Sequence, residues 1–168
     1  MKSEELDIFT KTALIAVLVN NDFHYMHLLS IGRDFDKSHN LAQDYYDMID
    51  GEVDYLMELA LEVKAPIYNY TQAGELIPEY PIENKSGYDY QTLISCLKNK
   101  IAIYLSALRT LRNSTDNNSI QSRLDDMIRD WEKELNYRLE KRTEKPMLPG
   151  FINTGLDARL SSLYENNI

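Results

Sequence analysis

The chain has 168 residues, 43% of them apolar and 27% charged, with a formal net charge of −9 and a single cysteine. That length suits one domain able to bury its own core; no run of eighteen apolar residues is present to span a membrane, and Cys96 alone excludes an intrachain disulfide or a thiolate metal cluster. The acidic balance argues against a broad nucleic-acid footprint, which needs clustered lysine and arginine to displace phosphate counterions. The opening MKSEELDIF has no signal-peptide pattern, so the cytoplasm is the expected compartment.

Leu6, Phe9, Ala13, Val17, His24, His27, Leu28 and Ile31 recur near the helical period and predict a first helix over residues 4–30, with Ser3 as N-cap and Gly32 ending it. The β-branched run at 15–19 could suit a strand, but the continuing stripe favours helix. A second helix is expected from Asp34 or Asp36 to Lys64, stopped by Pro66. Its core stripe is Leu41, Tyr45, Met48, Leu56, Leu59 and Val63; a mixed polar stripe holds His39, Gln43, Tyr46, Asp50, Asp54, Met57 and Glu58. Gly51 in its interior, costly in a helix, points to a close helix approach such as a dimer contact.

Residues 65–87 carry Pro66, Gly74, Pro78, Pro81 and Gly87 and predict a long connector. A short helix over 67–73 fits within it, and a crossover of this kind lets the second and third helices run parallel. The third helix is expected over 89–112, on Leu93, Leu97, Ile101, Tyr104, Leu105, Leu108 and Leu111, with Cys96 a small buried residue on its apolar side. The fourth is expected over 119–142, announced by an Asn118/Gln121 capping box and carried by Ile120, Leu124, Met127, Ile128, Trp131, Leu135 and Leu139. The fold class is therefore all-α, a ferritin-like four-helix bundle over 1–143 with a long crossover between its second and third helices. A tail over 144–168, with Phe151, Ile152, Leu156, Leu160 and Leu163, is expected to dock on its own bundle or on a neighbour.

All three histidines lie in the first part of the chain: His24 and His27 one turn apart, then His39. Asp54 and Glu58 form a second one-turn pair. A turn back through Gly32 brings His27 beside His39, but a helix rising about 1.5 Å per residue puts His39 roughly 22 Å from Asp54. One chain does not close both ends on one metal; a second copy packed antiparallel across a twofold near Tyr46 to Met48 would do so twice. Each histidine alone reads more readily as an interior or interface residue than as a ligand, and Asp50 more readily as a solvated charge than as an extra ligand. Together, imidazoles and carboxylates without thiolate suit Fe²⁺, Mn²⁺ or Zn²⁺. The arrangement with Glu-x-x-His pairs inside one bundle is excluded, because no histidine follows His39. Neither a Gly-x-Ser-x-Gly nucleophile motif nor a phosphate-binding glycine loop occurs.

The spacing of His27, His39, Asp54 and Glu58, with Gly32, Phe35 and Tyr46 between them, resembles the ferroxidase signature of the Dps family, the mini-ferritins. His24 is similar to that family's frequent extra histidine. The resemblance departs at Gln43, where the family has an acidic residue, at Leu28 in place of a tryptophan, and at Met57 and Leu59 around the last carboxylate. It implies a metal site between two subunits, with His27 and His39 from one and Asp54 and Glu58 from the other. It also implies oxidation of Fe²⁺ by hydrogen peroxide or oxygen, storage of the ferric product, and a twofold dimer within a shell of twelve; these four residues would then be both ligands and catalytic residues. Binding to DNA is not expected. Only Lys2 precedes the first helix, and Lys141, Arg142, Lys145 and Arg159 are offset by Glu140, Glu144, Asp157 and Glu165. The alternative reading is a ferritin-like bundle that has lost turnover and serves as a structural or interaction protein, with Gln43 as its sign.

Overall fold

A computed structural model of the chain describes residues 7–143, and these form a helical bundle. Helix α1 (Ile8–Leu28) starts where the Asp7 carboxylate accepts the Phe9 N–H at 2.9 Å. Ser3, the expected cap, lies outside the described residues. The run at 15–19 is helical and mostly buried, because Ala13, Leu14, Ala16, Val19, Phe23 and Met26 form a broad apolar face. Three members of the expected stripe, His24, Leu28 and Ile31, are exposed instead. Leu28 is 62% and Ile31 52% exposed. Leu28 sits two residues past buried Met26, about 200° round the helix, and Ile31 lies beyond the helix end.

The chain reverses through Gly32, whose φ of 94° lies in the left-handed region, and the Phe35 N–H returns to the Gly32 carbonyl at 3.2 Å. Helix α2 (Phe35–Glu62) buries Leu41, Ala42, Tyr45, Ile49, Leu56, Leu59 and Ala60. Met48 is only half-buried and Val63 is exposed, since the stripe drifts through Ile49 and leaves Val63 past the helix end. A Cβ added to Gly51 would meet nothing within 4 Å, so no described part of this chain makes the close approach expected there. Left-handed Lys64, at φ 61°, and Pro66 close the helix.

The connector lies along α1. The Thr10 hydroxyl donates to the Pro66 carbonyl at 2.6 Å, the Tyr70 hydroxyl to Asn21 at 3.0 Å and the Tyr80 hydroxyl to Asp22 at 2.6 Å. Its short helix α3 (Tyr70–Leu76) begins later than the expected 67–73, because Asn69 and Gln72 form the capping box. Tyr88 then pairs with the turn: the Ile31 N–H donates to its carbonyl and its N–H to the Leu29 carbonyl, both at 2.9 Å. The start of α4 (Tyr90–Ser114) is thereby set beside the start of α2, and the two helices run parallel.

Helix α5 (Asn118–Lys133) runs back antiparallel to α4, as ion pairs Arg112–Asp125, Arg109–Glu132 and Lys98–Glu140 show along its length. Its cap is Asn117, one residue before the expected Asn118; Gln121 instead donates to the Thr115 carbonyl at 2.6 Å. A π-helical turn, π1 (Glu134–Leu139), and a last α-helical turn, α6 (Glu140–Arg142), complete it. The expected helix over 119–142 carries no sign of that π turn. The tail expected over 144–168 lies outside the described residues.

Candidate metal centre

The end of α1 and the start of α2 carry the histidines. The His27 Nδ1 donates to the His39 carbonyl at 3.2 Å, and the His39 Nδ1 donates to the His27 carbonyl at 3.0 Å. A carbonyl only accepts, so each Nδ1 carries a hydrogen, and the lone pair of the neutral form falls on Nε2. The rings lie 3.8 Å apart, centroid to centroid, and Phe35 packs on His39 at 5.2 Å. The two rings are set side by side by local chemistry: Gly32 permits the turn, and the crossed hydrogen bonds fix both imidazoles. His24 stacks on Tyr46 at 4.8 Å and is exposed.

Asp54 and Glu58 share one face of α2 and are exposed, far along the helix from His39. The structure therefore brings His27 and His39 together, brings Asp54 and Glu58 together, and leaves the two pairs apart. Among the described residues no three His, Cys, Asp or Glu side chains of one chain could hold a metal. Asp50 is exposed and accepts from the Asn20 amide at 3.1 Å. The Gln43 amide donates to Asp47 one turn on, which holds a neutral group where the resemblance has a charged one.

Sequence reasoning missed the polar groups inside the bundle. The Glu52 Oε2 accepts both the Tyr104 hydroxyl at 2.9 Å and the Trp131 indole N–H at 2.7 Å. Burial holds the Glu52 carboxyl above its ordinary value, although both hydrogen bonds pull it down. Burial, then the Glu52 charge, pushes the Tyr104 phenol well above its usual range. Lys100, 1% exposed, pairs with Asp22 at 2.7 Å and lies 3.7 Å from Glu83, donates to the Pro81 carbonyl and sits over the Tyr80 ring at 4.5 Å. Charged residues in helices normally signal solvent, so only an apolar flank could have hinted at these. Cys96 is buried as expected, and burial raises its thiol above the usual value.

Four long helices, a crossover between the second and third and a short helix within it define a ferritin-like four-helix bundle. A scan against protein-family models gave no match, and neither did a search of curated proteins. Among solved structures, the chain is similar to CAIP from Helicobacter cinaedi, with a TM-score of 0.72 at 16% identity over 82% of this chain and 97% of that one. It is also similar to Dps from Staphylococcus aureus, with a TM-score of 0.70 at 16% identity over 83% and 94% of the two chains. The fold is thus that of the Dps-type ferritin-like bundle, as the sequence resemblance implied. Among the described residues no helix is long and apolar enough to cross a membrane.

Proposed function

We propose that the protein is a Dps-like ferroxidase whose substrate, Fe²⁺, binds between two copies of the chain. The observation that carries this reading is the crossed hydrogen bonding of His27 and His39, which presents two Nε2 lone pairs on adjacent rings. Asp54 and Glu58 of a second copy supply the negative charge that two neutral imidazoles lack, and their separation from the histidines in one chain is what calls for that copy. Hydrogen peroxide or oxygen is the oxidant; with peroxide, two Fe²⁺ give two Fe³⁺ while H₂O₂ and two protons give two waters. Storage of the ferric product, protection against oxidative stress, assembly as a twofold dimer within a shell of twelve and a cytoplasmic location complete the reading. Zn²⁺ or Mn²⁺ suits the same donors. The net charge of −9 disfavours DNA as a partner.

The test is an anaerobic Fe²⁺ titration of the purified protein, followed by peroxide, with absorbance and native mass as readouts. Saturable binding, then rapid ferric formation lost in His39→Ala and in Asp54→Ala with Glu58→Ala, is expected. The second reading, a bundle without turnover that serves in structure or interaction, is favoured by Gln43, whose amide is tied to Asp47. Binding no tighter than in the His39→Ala control would establish that reading instead.

A further inference from the structure

The bundle interior holds two tyrosines, each hydrogen-bonded to a carboxylate, with one tryptophan between them. The Tyr45 hydroxyl donates to Glu134 at 3.0 Å, and the Tyr104 hydroxyl donates to Glu52 at 2.9 Å. Trp131, the only tryptophan, stacks near Tyr45 at 6.0 Å and meets Tyr104 edge-on at 5.6 Å. Its own N–H donates to the same Glu52 oxygen that Tyr104 uses. The Tyr45 end is not sealed. Tyr45 and Glu134 line a cavity of about 150 Å³, formed with Leu41, Asp44, Met48, Arg138 and Arg142. At the other end Tyr104 and Trp131 are fully buried.

Packing alone asks for none of this. A phenylalanine at 104 and a leucine at 52 would fill the same interior without the cost of burying a carboxylate. What the arrangement does supply is a proton acceptor at every oxidisable ring. Oxidation of a phenol or an indole releases a proton, and a ring that cannot pass it on is held as a high-energy cation.

We propose that Tyr45, Trp131 and Tyr104 form a redox relay that carries one oxidising equivalent from the cavity to a phenol in the bundle interior, with Glu134 and Glu52 as its proton acceptors. A small inorganic radical in the cavity, of the class to which azidyl belongs, takes an electron from Tyr45 and is reduced to its anion, while the Tyr45 proton passes to Glu134 and leaves a neutral phenoxyl radical. Trp131 then gives an electron to Tyr45, which recovers its proton from Glu134, while the indole proton passes to Glu52. Finally Tyr104 gives an electron to the Trp131 radical. The Tyr104 proton goes to Glu52 and the proton already there returns to the indole, so that Glu52 stays protonated once and Tyr104 holds the radical. Both donors bond one oxygen, Oε2, so the exchange uses a single carboxyl group. The relay is independent of any iron site.

The relay is tested on the full-length protein by pulse radiolysis, with azidyl radical as the oxidant. The lone tryptophan makes the indolyl absorption a report on Trp131 alone. In the wild type this signal forms, then decays as a phenoxyl signal rises. Tyr45→Phe should lower the indolyl yield at least fivefold, and Tyr104→Phe should lengthen its lifetime at least tenfold. Glu52→Gln keeps an oxygen acceptor for both donors but takes no proton, and should lengthen the lifetime as Tyr104→Phe does; it serves where Tyr104→Phe fails to fold. Wild-type yield in Tyr45→Phe, or wild-type lifetime in the folded Tyr104→Phe and Glu52→Gln proteins, would overturn the relay and leave these groups a purely structural network.

Discussion

His27 and His39 each donate through Nδ1 to the other's backbone carbonyl, at 3.2 and 3.0 Å. The pair is thus held by the main chain at both ends of one turn, and neither ring can rotate without breaking its own bond to the other residue's carbonyl. His39→Ala removes one imidazole and its bond to the His27 carbonyl, while the His27 ring keeps its bond to the residue 39 carbonyl. The expected outcome is at least a tenfold loss of Fe²⁺ affinity in anaerobic titration, with a stability loss of only about 1 kcal/mol by urea denaturation, the usual worth of one such bond. Unchanged affinity would remove the histidines from the site.

Gly32 makes that turn possible. Its φ of 94° is one that an L side chain rarely adopts, though a Cβ there would meet Asp89 only at 3.8 Å. Gly32→Ala should therefore cost about 1–2 kcal/mol through backbone strain rather than collision. Thermal denaturation checks the cost, and a wild-type midpoint would show that the turn is free to relax.

Lys100 lies in the interior beside Asp22, with 1% and 2% of their side chains exposed. Lys100→Met leaves the Asp22 carboxylate buried without its cation, a loss of about 3–5 kcal/mol. Asp22→Asn combined with Lys100→Met removes both charges and should recover a good part of it. Urea denaturation of the two proteins decides; equal losses would mean that the connector's packing, not the charge, is what the lysine sustains.

Glu52 sets a pH dependence. Its carboxyl is raised by burial in the folded protein, so the native state holds the proton more tightly than the unfolded chain does. The stability it contributes is fully present below the ordinary glutamate value, 4.5, and is lost as pH rises through the folded value. Against Glu52→Gln, which does not titrate, the wild type should lose relative stability as pH climbs above 4.5. Chemical denaturation of both proteins across the acid range measures the difference, and parallel curves would deny the shift.

Much of this fold was legible in the sequence because its signals are local. Apolar residues at helical spacing placed α1, α2, α4 and α5; Pro66 and the glycines around it marked the connector, and Gly32 marked the turn that sets His27 against His39. The boundaries moved where a neighbouring side chain caps better than the expected one, as Asn117 does in place of Asn118 and Asn69 does ahead of α3. No described part of this chain comes within 4 Å of a Cβ at Gly51, so the dimer contact expected there would have to come from a second copy.

By itself, then, the sequence determined the helices, their order and the candidate ligands, His27 and His39 across the Gly32 turn and Asp54 and Glu58 one helical turn apart, since 3.6-residue periodicity and turn chemistry depend only on near neighbours. Tertiary structure alone decided which charges went inside. Glu52 finds Trp131 79 residues away, and Asp22 finds Tyr80 58 residues away. A carboxylate on a helix reads as solvent-facing until the fold brings donors to it, because the cost of its burial is offset only by partners that no local window contains.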